Sequence, residues 1–215
     1  MAYLHQVLDF FLHLDKHLDL LLQNYGSWSY GILFLIVFCE TGLVITPFLP
    51  GDSLLFATGA LAGRGSLDVN LIAVLLGLAA ILGDAANYAI GYFAGDKLIR
   101  SGLVKKAHLD RTHSFYEKYG GKTIIFARFV PIVRTFAPFL AGMGKMNYAR
   151  FATYNIVGGI TWVVLFIYAG FFFGELDFVR KNFSLVILMI IILSILPAVY
   201  EIWKSRREAV EIGAD

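Results

Sequence analysis

The fold of this chain is decided by an interruption in an apolar run, the stretch Ile45-Thr-Pro-Phe-Leu-Pro-Gly-Asp-Ser53, which Glu40 precedes. The surrounding sequence is otherwise apolar from Trp28 to Leu61. Two prolines, a glycine and a carboxylate break a membrane helix, and the backbone groups that the break frees must find partners inside the protein or in a wet cavity. The stretch therefore predicts a broken, buried unit and not a plain membrane-spanning helix.

The second half of the chain carries a similar interruption, Ala127-Arg-Phe-Val-Pro-Ile-Val-Arg-Thr-Phe-Ala-Pro138. This one brings arginines, whereas the first brings carboxylates. Interrupted segments at matching positions of two halves point to a transporter site near the middle of the bilayer. We therefore interpret the two interruptions as two halves of one site and predict that they meet.

The composition places the chain in a bilayer. Its 215 residues are 58% hydrophobic and 16% charged, with a mean hydropathy of +0.70, whereas about a quarter of the residues of a soluble domain are charged. The length suits one membrane domain over residues 1–215. The single Cys39 excludes an intramolecular disulfide and a multi-cysteine metal site. The first residues lack the features of a signal peptide, so we expect none.

The apolar segments and the turn residues between them predict an all-α integral membrane protein. The predicted elements are an amphipathic interfacial helix, a re-entrant hairpin and a transmembrane helix, then the same three again, and one extra transmembrane helix. Their ranges are, in that order, 3–23, 28–62, 69–95, 108–119, 123–144, 148–174 and 184–203.

This order predicts an inverted repeat, with repeat one over 3–95 and repeat two over 108–174. Interrupted segments in both halves are typical of such repeats. A faint sequence match at an offset of 79–80 residues supports it. The matched segments are Phe56-Ala57 with Phe136-Ala137, Leu61-Ala62-Gly63 with Leu140-Ala141-Gly142, and Gly91 with Gly170.

The distribution of Lys and Arg predicts the orientation. Twelve of them lie in 96–122, in 144–150 and after residue 203, and four lie in 1–27, 63–68 and 175–183. The rule that cytoplasmic loops are rich in positive charge predicts a cytoplasmic carboxyl terminus and an amino-terminal helix outside. If 28–47 spans the bilayer, the amino terminus moves to the cytoplasm. Anionic lipid headgroups explain the basic loop more simply than nucleic acid does.

Four ionisable residues lie in the interrupted units: Glu40, Asp52, Arg128 and Arg134. A charge at the bilayer centre costs about 2.5–3.5 kcal/mol on insertion scales, so such residues indicate function. An arginine fork grips phosphate or carboxylate, which predicts that the arginines bind an anionic headgroup. Burial and a nearby arginine shift a carboxylate pKa in opposite directions, so the acids are predicted to exchange protons. The alternative is two salt bridges that only hold the hairpins together.

Further residues are predicted to support this site, either by breaking the helices or by adding buried polar groups. They are Pro47, Pro50, Gly51, Ser53, Asp84, Asn87, Pro131, Thr135 and Pro138. A hydrogen bond to a neighbouring helix explains Asp84 and Asn87 equally well, and Asp52 also fits a helix amino-terminal cap. His13 and His17 have the spacing of metal ligands, but a solvated interfacial stripe explains them better because no third ligand is apparent.

Several of these stretches resemble the DedA family of bacterial inner-membrane proteins. They are Phe38-Cys-Glu-Thr-Gly42, Pro47-Phe-Leu-Pro-Gly-Asp-Ser-Leu-Leu55, Gly83-Asp84 with Asn87-Tyr88, Ala127-Arg-Phe-Val-Pro-Ile-Val-Arg-Thr135, and Ala141-Gly142. The resemblance covers nearly the whole chain. It implies a role in lipid-carrier recycling, envelope integrity and the proton-motive force, since relatives are implicated in flipping undecaprenyl phosphate or scrambling phospholipids. It also implies that the important acids and arginines are Glu40, Asp52, Arg128 and Arg134.

We therefore expect a multi-pass protein of the bacterial inner membrane that uses the proton-motive force to move an anionic lipid headgroup, undecaprenyl phosphate or a phospholipid. We expect no enzymatic activity, cofactor, metal or nucleic-acid partner. The expected partners are lipids and protons, and the sequence does not decide whether the protein forms a homo-oligomer.

Three alternatives remain at this stage: a small-ion or drug/proton exchanger, an intramembrane lipid phosphatase, and a scaffold for membrane proteins. A phosphatase needs a histidine nucleophile or clustered metal ligands, and no histidine follows His113. A scaffold would tolerate substitutions of its buried charges. Transport assays with the purified protein distinguish an exchanger from a lipid transporter.

Overall fold

The computed structural model describes residues 14–43, 51–100, 121–194 and 196 of the chain. These residues form helices and short turns without a strand, which confirms the all-α prediction. The helices in these ranges are α1 (Leu14–Tyr25), α2 (Trp28–Gly42), α3 (Gly51–Gly63), α4 (Val69–Arg100), α5 (Lys122–Ala127), α6 (Pro131–Met143), α7 (Tyr148–Phe173), α8 (Asp177–Lys181) and α9 (Phe183–Ser194).

Both predicted interruptions separate helices. Helix α2 ends before Leu43, whose backbone is extended, and α3 begins at Gly51. In the second unit α5 ends at Ala127, and Val130 is extended immediately before Pro131. A proline disfavours helical backbone in the residue that precedes it and fits the first position of a helix. The sequence chemistry of the second break therefore explains its geometry.

Some predicted boundaries differ from the structure or fall outside it. Helix α4 continues five residues beyond the predicted end at 95, because nothing in the sequence up to residue 100 breaks a helix. The predicted loop 175–182 contains the short helix α8. The stretch 44–50 with Pro47 and Pro50, the helix predicted over 108–119, residues 1–13 with His13, and the basic tail lie outside the described residues.

Within the described ranges, two helices have the length and composition of membrane spans. The apolar part of α4 has 27 residues and α7 has 26, which at 1.5 Å per residue gives about 40 Å, more than the hydrocarbon core of about 30 Å. Only 39% and 33% of their most apolar windows are buried. Large apolar side chains therefore face outward, as in Leu71, Val74 and Leu78. Helices α3 and α6 have 13 residues each and are too short to cross alone.

The second helix of each interrupted unit packs on the long helix that follows the other unit. Helix α3, buried from Gly51 to Ala62, packs mainly on α7, and α6 packs mainly on α4. Helices α4 and α7 also pack on each other, and α2 packs on α4. This arrangement places the amino-terminal turns of α3 and α6 against the long helices and against each other.

Close glycine contacts at these interfaces occur in two matched sets. Gly170 faces the backbone carbonyl of Phe56, and Gly91 faces that of Phe139. Gly59 likewise faces the carbonyl of Ile167, as Gly142 faces that of Tyr88. The residues of the two sets that lie on α4 and α7 differ by 79 residues, the separation that the sequence match indicated for Gly91 and Gly170. Those that lie on α3 and α6 differ by 83 residues, about one helical turn more than the offset of 79–80 predicted for these segments.

Candidate functional site

Five buried charges form two adjacent centres at the ends of the interrupted units. The arginine centre of α6 is built on Arg134, whose Nη1 lies 3.0 Å from Asp52 Oδ1 and whose Nη2 contacts Glu40 Oε1. None of the three side chains is more than 6% exposed. The two units therefore meet, as predicted, through a guanidinium that bridges a carboxylate of α2 and one of α3.

The carboxylate of Asp52 receives hydrogen bonds on both oxygens. Trp162 Nε1 donates to Oδ1 at 2.7 Å, alongside Arg134, and the hydroxyl of Ser194 donates to Oδ2. The Arg134 guanidinium also lies 4.8 Å from the Trp162 ring centroid, which is a cation–π distance. Helices α7 and α9 thus complete the site. Asp52 lies inside the first turn of α3, and its side chain binds other helices.

Glu40 is held differently from Asp52. Its Oε1 accepts the backbone N–H of Gly51 at 3.2 Å and a bond from Arg134, whereas Oε2 has no hydrogen-bond partner. A side-chain carbon at Gly51 would lie 2.4 Å from Oε2 and 2.5 Å from Oε1. Only glycine lets the backbone approach the carboxylate this closely, which explains why a glycine precedes Asp52.

The second centre is built on Arg128, at the end of α5. Its Nη2 contacts Asp84 Oδ2 from α4 and Asn155 Oδ1 from α7. Arg128 Nε, Arg128 Nη1 and Asp84 Oδ1 are buried without a hydrogen-bond partner. Three polar atoms without partners at one place mark a site with capacity for a further ligand, because buried polar groups are normally satisfied.

The amide of Asn87 joins the helices that carry the two centres. Its Nδ2 donates to the carbonyl of Thr41 at 3.1 Å and to that of Thr135 at 2.8 Å. Thr41 follows Glu40, and Thr135 follows Arg134. Asn87 therefore fixes α2 and α6 at the residues next to the Arg134 centre.

The structure brings together most of the predicted site residues but divides them differently from the sequence prediction. Arg128 does not join Arg134 in one clamp, since its partner is Asp84, for which the sequence left function and helix packing equally open. Pro138 lies inside α6, and Ser53 Oγ is buried without a partner.

The sequence analysis missed Asn155, Trp162 and Ser194. Asn155 carried the same sequence indication as Asn87, a polar residue within a predicted span. Nothing in the sequence indicated Trp162 or Ser194, because tryptophan and serine are both common in membrane helices.

The charges of the two centres do not balance. Together they contain three carboxylates, from Glu40, Asp52 and Asp84, and two guanidiniums. Fully ionised, the set carries one net negative charge, and one bound proton neutralises it. The cluster can therefore bind one proton, and it can release that proton when another of its buried charges changes.

Replacing Trp162 by phenylalanine is expected to destabilise the folded protein by about 1.5–3 kcal/mol, the usual contribution of a hydrogen bond to a charged group. The change removes the donor to Asp52 and keeps an aromatic ring. Thermal unfolding in detergent measures the effect. Trp28→Phe is the control, since Trp28 is 79% exposed. Equal melting temperatures for the two variants would contradict the role given to Trp162.

The chain is similar to known membrane proteins over most of its length. The VTT domain family model matches residues 49–172. Protein DedA of Escherichia coli is 56% identical over 214 residues, which cover 97% of this chain and 98% of that protein. An uncharacterized membrane protein of Mycobacterium tuberculosis is 41% identical, with 89% and 87% covered, and Inner membrane protein YqjA of Escherichia coli is 30% identical, with 82% and 85% covered. No solved structure matches the chain.

These matches confirm the resemblance found in the motifs around Glu40, Asp52, Arg128 and Arg134. The family model covers more than half of the chain, and the relatives align over nearly their whole length. The chain therefore belongs to the DedA family of VTT-domain membrane proteins.

Proposed function

We propose that this protein is a flippase of the bacterial inner membrane that moves an anionic lipid, undecaprenyl phosphate or a phospholipid, and uses the proton-motive force. The observation that carries the proposal is the cluster of three carboxylates and two guanidiniums buried between apolar helices. Such groups are costly in a membrane and mark substrate or proton pathways. The names of its relatives, among them an inner membrane protein, support the location.

The phosphate of the lipid is proposed to bind Arg128 first. Arg128 Nε and Nη1 are the nitrogens of this centre without a partner, and each can donate a charge-assisted hydrogen bond to a phosphate oxygen. Arg134 is already held by Glu40 and Asp52. In this scheme Arg134 contributes to headgroup binding only after it is released from one of these carboxylates.

Glu40 is the proposed proton carrier. A proton can bind Asp52 only by displacing or turning one of its three donors, whereas Glu40 Oε2 has none. The charged groups around Glu40 are Asp52, Asp84 and Arg134. Protonation of Glu40 removes the negative charge that holds Arg134 Nη2, so the guanidinium can turn towards a phosphate. Proton uptake and headgroup binding are thereby coupled. Asp52 keeps Arg134 in position.

The proposed transport path uses the paired architecture. We propose that the helices on each side of the two breaks form re-entrant hairpins in an inverted repeat, supported by the short helices α3 and α6 and by the two matched sets of glycine contacts. The Lys and Arg distribution supports a cytoplasmic carboxyl terminus.

The proposal is tested by reconstituting the protein into liposomes and comparing movement of undecaprenyl phosphate, phosphatidylglycerol and sodium ions. We expect movement of a phosphate lipid and a decrease of at least about tenfold in Arg128→Lys. The single nitrogen of an ammonium cannot bond Asp84 and Asn155 and also replace the two free nitrogens of the guanidinium, and a lost charge-assisted bond is equivalent to about 1.5–3 kcal/mol. Arg150→Lys is the control, since Arg150 is exposed on α7. Sodium movement without lipid movement would support an exchanger instead.

The proton role is tested by amide substitutions in the same liposomes under an imposed pH gradient. Glu40→Gln is expected to abolish the dependence of transport on the gradient, because an amide keeps the size of the side chain but does not titrate. Asp52→Asn is expected to slow transport at every pH, because it weakens the bond to Arg134. Wild-type gradient dependence in Glu40→Gln would remove Glu40 from the proton path.

A further inference from the structure

A groove with apolar walls lies between the two long helices, α4 and α7. Its volume is about 340 Å³. Val74 and Leu78 form one wall, and Ile160 and Val164 form the other. Asn70 and Tyr168, which are joined by a 2.7 Å hydrogen bond, close one end. Large side chains along it face outward, so the groove opens towards the surroundings of the two spans.

The groove runs along the helices for a substantial part of the bilayer. It extends on α4 from Asn70 to Ile81, which at 1.5 Å per residue is about 16 Å. Its floor is Gly77, where an added side-chain carbon would meet no atom within 4 Å. The helices therefore leave a trough at Gly77 although they are in contact elsewhere along their length.

The end of the groove at Ile81 reaches the Arg128 centre. Gly159 lies between the groove wall and the guanidinium. A side-chain carbon at this position would lie 2.9 Å from Ile81 Cγ1 and 3.4 Å from Arg128 Nη2. Asn155 also joins them, because its Nδ2 donates to the Ile81 carbonyl at 3.0 Å while its Oδ1 accepts from Arg128. The Arg128 atom nearest Gly159 is Nη2, and the same guanidinium has two nitrogens, Nε and Nη1, without a hydrogen-bond partner.

We propose that this groove binds the hydrocarbon chain of the anionic lipid whose phosphate contacts Arg128. The inference rests on the proposed function and adds where the apolar part of the substrate lies. A narrow apolar trough of this length suits a lipid chain. A guanidinium with unused donors at its end is complementary to a phosphate, whereas the apolar face of a second copy of this protein would leave those donors unsatisfied.

The groove is tested by filling its floor. Gly77→Leu places a side chain into the trough, since an added Cβ there meets no atom within 4 Å. Gly31→Leu is the matched control, because Gly31 also lies in an apolar helix with no atom within 4 Å of an added carbon. The probes are a polyprenyl phosphate and a neutral diacylglycerol, each with a photoreactive diazirine in its chain. We expect light-dependent labelling of α4 and α7 near Gly77 by the phosphate probe, at least about tenfold stronger than by the neutral probe.

Gly77→Leu is expected to reduce this labelling and lipid transport by at least about tenfold, whereas Gly31→Leu leaves both unchanged. If Gly77→Leu does not fold, Val74→Trp fills the groove from its exposed rim. Equal labelling by both probes would identify ordinary boundary lipid and overturn the inference. A filled groove that still transports at the wild-type rate would also overturn it, as would a filled groove whose only effect is a changed oligomeric state. If the filled groove still transports at the wild-type rate, the proposed function stands and only the inference about the groove is wrong. Absence of phosphate-lipid transport by the wild-type protein refutes the proposed function itself.

Discussion

Arg134→Ala is expected to abolish transport and to destabilise the folded protein by about 3–5 kcal/mol, the usual cost of breaking a buried ion pair by removing one partner. The loss is large because Arg134 is the direct ion-pair partner of two carboxylates, Glu40 and Asp52. Truncation also removes the cation over the Trp162 ring. Thermal unfolding in detergent and lipid movement in liposomes measure the two effects.

A neutral version of the Arg134 centre separates structure from function. The variant that combines Glu40→Gln, Asp52→Asn and Arg134→Met carries no buried charge at this centre. Removing one partner of a buried ion pair leaves an uncompensated buried charge, whereas neutralising every partner does not. We therefore expect this variant to melt at a higher temperature than Arg134→Ala, with no transport. Wild-type transport by this neutral variant would show that the charges only hold the helices together.

The sequence was sufficient to predict the broken units and the contact between them. Proline, glycine and charged residues inside apolar runs determine where a membrane helix is interrupted, and new helices begin at Gly51 and at Pro131. That buried acids of one unit meet buried arginines of the other followed from charge alone, since a buried acid needs a counterion, but the individual pairs did not. These features depend on local chemistry and on the cost of burying charge.

The pairing of Arg128 with Asp84 could not be predicted from sequence. Each residue along a helix turns the side chain by about 100°, so the partner of a buried arginine depends on how its helix is rotated against its neighbours. The difference between the predicted offset of 79–80 residues and the 83 residues between the glycine contacts of α3 and α6 has a related reason. A shift of about one turn keeps the same face of a helix towards its partner, and stretches of small apolar residues such as 61–63 and 140–142 align equally well in either register.

Gly170→Ala and Gly91→Ala are each expected to destabilise the protein by about 1–3 kcal/mol or more, the cost of overpacking a close contact. The added carbon would lie 2.0 Å from the carbonyl oxygen of Phe56 in the first variant and 2.1 Å from that of Phe139 in the second. Both obstacles are backbone atoms, so no side chain can turn away. Helix α3 must move from α7, or α6 from α4, and the Arg134 centre at the start of α3 and α6 is then disrupted with loss of transport.

The sign of the effect makes this prediction specific. Glycine in the interior of a helix normally costs about 0.8–1.0 kcal/mol relative to alanine, so Gly77→Ala, which meets no atom within 4 Å, is expected to raise the melting temperature. Gly170→Ala and Gly91→Ala are expected to lower it by similar amounts, because they occupy matched interfaces, and their effects should add in the double variant because those interfaces are different ones. A stabilising effect of either substitution would mean that α3 and α6 do not pack on the long helices at these glycines, and the contact of Asp52 with Arg134 would then lose the packing that positions it.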